Sequence, residues 1–190
     1  MWSLPLLAIL LFTIVHTTAH PSSTVSNRTL PYPHPPRSQR ATVALMQELL
    51  GPDGGKRTLK AHNGLYLSAS SRLSAGLFRT LSIINVAEWS RSKGQYWYIE
   101  RINDNEGIMT HIQVALKSLT GKYITHWWFD ETTGADEAKE WEMLTPVKNE
   151  DETWSFKSRS GYYLSAHLES NEVNFMPHND RCEHWTLESW

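Results

Sequence analysis

The sequence predicts an all-β domain of three similar four-stranded units. Two observations predict it: a tryptophan that recurs every 44 residues and a glycine-turn motif that recurs with it. Trp97, Trp141 and Trp185 each open a short apolar run: Trp97-Tyr98-Ile99-Glu100, Trp141-Glu142-Met143-Leu144 and Trp185-Thr186-Leu187-Glu188. The last alternates large apolar with polar residues, as a half-buried strand does. The turn motif reads Asn63-Gly64-Leu65-Tyr66-Leu67-Ser68-Ala69, Thr120-Gly121-Lys122-Tyr123-Ile124-Thr125 and Ser160-Gly161-Tyr162-Tyr163-Leu164-Ser165-Ala166. Each glycine suits the positive-φ position of a tight turn, and the Tyr-Leu or Tyr-Ile pair after it suits a strand.

Each unit therefore reads strand, glycine turn, strand, variable loop and strand, then a Trp-led strand. Three such units make a β-trefoil, a six-stranded barrel capped by three hairpins that leaves no sheet edge open. The Trp residues and the Tyr-Leu pairs are expected to fill the barrel. A propeller blade has a similar length, but propellers use more than three blades. The intervals from turn glycine to Trp are 33, 20 and 24 residues. The first unit thus carries an insertion between Leu73 and Gly94, holding Trp89, Arg91 and Lys93. Such loops are where trefoils diversify.

Domain organisation follows from composition. Residues 1–19 read as a signal peptide: Leu4 to Val15 is almost unbroken apolar sequence, and Thr17-Thr18-Ala19 supplies small residues for cleavage. The run is shorter than the roughly 20 residues a membrane span needs, and no basic residue precedes it. Residues 20–40 hold five prolines and no acid, and read as a disordered segment or propeptide. They contain the sequon Asn27-Arg28-Thr29, a glycosylation site if the chain is secreted, and end in Arg37-Ser38-Gln39-Arg40, a minimal R-x-x-R processing site. Residues 41–56 read as a short helix or linker. Val43, Leu45, Met46, Leu49 and Leu50 have helical spacing that stops at Gly51-Pro52. This piece either packs on the barrel base or belongs to a pro-segment. The trefoil is expected over 57–190.

Charge and cysteine content narrow the partners. From Ala41 onward 15 basic residues face 20 acidic ones, a formal charge of −5. That argues against nucleic acid or heparin, which need clustered Lys and Arg. No membrane contact is expected after signal removal. Cys182 is the single cysteine, so the domain must stand on its hydrophobic core.

The strand ending in Lys-Ser, the glycine turn and Tyr-Leu-Ser-Ala resemble the fascin-like β-trefoil, most clearly in Trp154 to His167 with Glu183 to Ser189. The resemblance covers about Arg57 to Trp190. It implies the fold and a binding or scaffolding role without catalysis. Actin bundling is not carried over, because a signal peptide places the chain outside the cell. Ricin-type lectin trefoils are more distant relatives. Their Q-x-W motif is matched by Gln95-Tyr96-Trp97, whereas Lys139-Glu140-Trp141 and Glu183-His184-Trp185 lack the Gln. Their sugar-binding Asp is replaced by Ser68, Thr125 and Ser165.

His126-Trp127-Trp128-Phe129-Asp130 puts four rings in a row, and strand alternation cannot bury them all. Trp127, Trp128 and Asp130 are the ligand-binding candidates, a platform for a sugar or a protein anchor. The alternative is one Trp in the core and one lying on a loop. The acidic stretch Asp130, Glu131, Asp136, Glu137, Glu140 and Glu142 does not match a calcium loop and reads as a solvated hairpin. His178, Cys182 and His184 lack a fourth zinc ligand. No catalytic motif stands out, and no metal or cofactor is expected. The expected function is a secreted, non-catalytic module binding a glycan or an extracellular protein. The alternative is a signalling or inhibitory ligand released by cleavage after Arg40.

Overall fold

The computed structural model describes residues 37–74, 79–102, 112–126, 132–167 and 169–190. The apolar N-terminal run, Asn27, and the trio Trp127, Trp128 and Asp130 lie outside these residues. Every described residue belongs to one compact unit, Pro35–Trp190.

That unit is all-β with one α-helix. Helix α1 is Arg37–Leu50, and twelve strands follow: β1 Lys56–Ala61, β2 Tyr66–Ser74, β3 Arg79–Ala87, β4 Trp97–Ile102, β5 Gln113–Ser118, β6 Tyr123–His126, β7 Thr132–Ala135, β8 Leu144–Lys148, β9 Trp154–Ser158, β10 Tyr163–Ala166, β11 Val173–Met176 and β12 Trp185–Glu188. Every strand pairing is antiparallel. Six strands pair in a closed ring, β1 to β4 to β5 to β8 to β9 to β12 and back to β1. The other six form three hairpins, β2–β3, β6–β7 and β10–β11. A closed ring leaves no unpaired edge to template aggregation.

The glycine turns recur as the sequence predicts. The N–H groups of Ala61, Ser118 and Ser158 donate to the carbonyls of Leu65, Lys122 and Tyr162 at 2.8, 2.7 and 2.7 Å. Gly64, Gly121 and Gly161 have φ of 85°, 89° and 93°, a region an L side chain rarely enters. After each turn a Lys faces a Tyr: Lys60 with Tyr66, Lys117 with Tyr123 and Lys157 with Tyr163. Each ammonium sits over its ring, 5.5, 5.0 and 5.3 Å from the centroid.

Alternation then decides which half of the Tyr-Leu pair is core. Leu67, Ile124 and Leu164 are fully buried, while Tyr66 and Tyr163 are only partly so. The aliphatic residues fill the interior; Tyr66 and Tyr163 lie toward the surface beside their lysines, whereas Tyr123 is buried.

One expectation needs correcting. Trp97 and Trp185 are fully buried, and their indole N–H groups donate to the carbonyls of Leu67 and Leu164 at 2.9 and 3.0 Å. Trp141 is 37% exposed, and Leu144, with 0% exposure, starts β8 in its stead. Two residues before Trp97, Leu144 and Trp185 stand Gln95, Glu142 and Glu183, all buried. The structural equivalents are thus Gln95-Tyr96-Trp97, Glu142-Met143-Leu144 and Glu183-His184-Trp185. The even 44-residue spacing through Trp141 is a coincidence of loop lengths.

Helix α1 begins at Arg37, so residues 37–40, expected to be disordered, are helical and the helix starts before the expected 41–56 piece. Residues 37–41 carry no large apolar side chain, so the pattern could not reveal the first turn. Thr42 Oγ1 donates back to the Ser38 carbonyl at 3.1 Å within it. Met46 and Leu49 join the core, and Glu48 reaches Lys148 of β8 at 2.7 Å. Gly51, at φ 58°, ends the helix with its N–H on the Gln47 carbonyl. The helix is therefore docked on the barrel through its second half. Among the described residues, no helix is long and apolar enough to cross a membrane.

Candidate functional site

The broadest aromatic surface among the described residues lies where the first unit meets the last strand. Tyr66 at the start of β2, Trp89 after β3, Tyr96 before β4, Tyr98 within it, and Trp190 after β12 form one chain of rings. Successive centroids are 4.9 Å (Tyr66–Trp89), 5.6 Å (Trp89–Tyr96), 4.9 Å (Tyr96–Trp190) and 5.5 Å (Trp190–Tyr98) apart. Interplanar angles of 43° to 80° are the tilted and edge-on arrangements that ring quadrupoles favour. Trp89 is 41% exposed.

Four of these rings, Tyr66, Trp89, Tyr96 and Trp190, wall an open cleft of about 470 Å³, whose remaining lining is Thr58, Leu119, Glu188 and Ser189. Among the described residues, Glu188 is the one charged side chain in the lining. Its carboxylate accepts from the Tyr66 hydroxyl at 3.1 Å, and Lys60 stands 4.0 Å away. Trp190 is held by its indole N–H on the Trp97 carbonyl (3.2 Å), with Lys56 over its ring at 5.4 Å. Arg57, buried behind the cleft, donates to Ser189 Oγ at 3.0 Å. Burial lowers the Arg57 pKa, and the nearby Asp53 opposes that shift.

The cleft thus combines tilted aromatic faces with a carboxylate and hydroxyls at one side. Such a surface takes a ligand that has an apolar face and a hydroxyl-rich rim.

Of the residues singled out from sequence, Trp127, Trp128 and Asp130 lie outside the described residues. Their neighbour His126 is described: its ring stacks on Phe175 at 4.3 Å, and its Nδ1 lies 3.0 Å from Ser158 Oγ and 2.9 Å from Ser160 Oγ. Arg37 and Arg40 fall in the first turn of α1, with Arg40 exposed. The acidic stretch is largely committed to ion pairs. Asp136 meets Lys122, Glu137 meets Lys139 and Glu140 meets Arg159. Glu142 is buried and accepts the Lys139 N–H at 2.7 Å.

The one metal-capable grouping among the described residues differs from the trio read in sequence. His178, Asp180 and Glu183 bring ligand atoms within 4.8 Å of one another. The Glu183 carboxylate already accepts the Asp180 N–H at 2.7 Å, the structural duty that Glu142 performs in the second unit. His184 pairs instead with Asp151 at 2.8 Å. Cys182 is half-buried, and burial, with Glu183 and Asp180 close by, raises its thiol pKa.

Sequence reading missed the cleft because its members are far apart in the chain. Two signals were present: the first-unit insertion carries Trp89, and a further Trp follows the last repeated strand.

No family model matches the chain, and no curated protein matches it. Among solved structures, the chain is similar to SeviL bound to asialo-GM1 saccharide. The TM-score is 0.50 at 11% identity, over 71% of this chain and 97% of that one. At that identity the likeness concerns the fold.

Proposed function

We propose that this chain is a non-catalytic glycan-binding module and that the cleft of Tyr66, Trp89, Tyr96 and Trp190 takes the sugar. The observation that carries this is the union of an exposed Trp89 and half-buried, tilted Tyr66, Tyr96 and Trp190 rings with a carboxylate in an open groove. A pyranose presents C–H groups on a face and hydroxyls around its rim. The C–H face suits the negative face of Trp89 or Tyr96, and the hydroxyls suit Glu188 and Tyr66. Glycoside hydrolysis usually needs two carboxyl groups flanking the bond. Among the described residues of the cleft lining Glu188 carries the one side-chain carboxyl, which supports binding rather than cleavage.

The reading extends to architecture. The closed ring with three hairpins, and the thrice-repeated turn, support a β-trefoil of three pseudo-repeats, of the kind the fascin-like resemblance implies. SeviL, of similar fold, holds a saccharide, which supports the same reading by analogy. Secretion is part of the proposal, on the strength of the apolar run Leu4 to Val15, with Asn27 glycosylated. A second reading, an extracellular protein ligand released by cleavage after Arg40, rests on the exposure of Arg40 at the end of Arg37-Ser38-Gln39-Arg40 and requires the first turn of α1 to unwind for cleavage.

A printed array of neutral and sialylated oligosaccharides, probed with wild-type protein and with Trp89→Ala, tests the proposal. Saturable binding that Trp89→Ala loses while still folded supports it. Absence of binding to any sugar, or binding that Trp89→Ala retains, overturns the cleft as the site.

A further inference from the structure

Trp89 has little burial to hold it, yet the cleft depends on where it stands. The backbone on either side of it is gripped by one side chain. Gln95 is fully buried, and its Nε2 donates to the Glu88 carbonyl at 2.7 Å. Its Oε1 accepts from the Ser90 N–H at 2.9 Å and from the Ser90 hydroxyl at 3.1 Å. The residue before Trp89 and the residue after it are thus tied to one amide.

The equivalent positions in the other two units show what is special here. Glu142 and Glu183 are also buried, but each carboxylate holds a backbone N–H three residues upstream, from Lys139 and Asp180, both at 2.7 Å. Those loops turn back at once, and an acceptor suffices. In the first unit the gripped residues lie five and seven positions upstream, and one of the gripped groups is a carbonyl. A carboxylate has no donor for a carbonyl, whereas an amide carries both a donor and an acceptor.

We propose that Gln95 is a positioning residue for ligand recognition. Its amide clamps Glu88 and Ser90 and so sets Trp89 against Tyr66 and Tyr96 in the cleft. The proposal rests on the reading of that cleft as the glycan site. The segment needs such a clamp, because Arg91, two residues on, holds a left-handed φ of 57° that a non-glycine residue adopts only under constraint.

Gln95→Glu tests it. The variant keeps the shape and the acceptor, removes the donor, and sets a carboxylate oxygen against the Glu88 carbonyl. Glu142→Gln makes the reverse exchange at the equivalent position of the second unit and serves as the control for a merely structural role. The first readout needs no ligand: nuclear Overhauser contacts from the Trp89 ring to Tyr66 and Tyr96. The second is binding to the same oligosaccharide array. The expected result is loss of both contacts in Gln95→Glu, unchanged indole signals of Trp97 and Trp185, and array affinity weaker by about tenfold. Glu142→Gln should leave the contacts and affinity as they are. Retention of the Trp89 contacts in folded Gln95→Glu overturns the clamp. Equal loss of array binding in both variants also overturns it, since a general structural effect would then suffice. Loss of the contacts with full array binding upholds the clamp and overturns the cleft as the glycan site. Gln95→Met, similar in volume and without either bond, carries the same test should the buried carboxylate prevent folding.

Discussion

Truncating Trp185 and Trp141 to alanine, one at a time, should have very different consequences. Trp185 has no exposed surface, and its indole N–H satisfies the Leu164 carbonyl at 3.0 Å. Removing a buried Trp costs about 3–5 kcal/mol through lost transfer energy and the cavity left behind. The orphaned carbonyl adds about 1 kcal/mol or more. For a domain of this size each kcal/mol moves Tm by about 2–4 °C. Trp185→Ala should therefore melt lower by roughly 8–24 °C. Trp141 is 37% exposed and lies outside the core cluster, so Trp141→Ala should cost about 1–2 kcal/mol, clearly less than Trp185→Ala. Leu144→Ala, at the position equivalent to Trp185, should cost about 2–5 kcal/mol. Urea titrations and thermal melts of the three variants measure this ordering. Equal losses for Trp141→Ala and Trp185→Ala would refute it, because the 44-residue spacing would then mark the true equivalents.

Three further outcomes follow from local geometry. A Cβ added at Gly94 would lie 2.0 Å from the Ala69 carbonyl oxygen, so Gly94→Ala should destabilise by about 1–3 kcal/mol in urea unfolding as the loop is forced off β2. Asp151 is held at a pKa of about 2, below the usual carboxylate range, chiefly by the Thr153 hydroxyl and then by His184. A depressed pKa stabilises the fold above the ordinary value of about 4, and the contribution fades as pH falls toward about 2. Melts of wild type and Asp151→Asn should differ at neutral pH and converge across that window, and a gap that persists at the acid end would contradict the assignment. Leu49 is fully buried, so Leu49→Ala should cost about 2–5 kcal/mol, whereas a chain starting at Ala41 should melt close to the full-length protein. A large drop for the chain starting at Ala41 would mean that the first helical turn is needed for docking.

The repeats made the fold's outline legible. A Gly-Leu-Tyr-Leu or Gly-Tyr-Tyr-Leu string carries its turn geometry and its strand alternation in a few neighbouring residues. Local rules therefore placed the three turns and the strands that flank them. The same rules mistook Trp141 for a core residue, since the identity of a side chain was visible and its register was not. Register depended on loop lengths, and on the buried Gln95, Glu142 and Glu183, whose importance lies in the backbone groups they hold. The cleft was illegible for a related reason. Tyr66, Trp89, Tyr96 and Trp190 span most of the domain in sequence and meet only because β1 pairs with both β12 and β4. The Trp127-Trp128 pair stood out because it is contiguous, and contiguity is what a sequence displays best.

In the proposed mode of binding, Trp89 and Trp190 face the bound sugar. Indole N–H resonances, assigned by single Trp→Phe variants and followed while an array-selected oligosaccharide is titrated in, test it most directly. Saturable shifts at Trp89 and Trp190, with Trp97 and Trp185 unmoved, are the result predicted. Shifts confined to Trp127 and Trp128 would contradict the claim and move the site to the second unit.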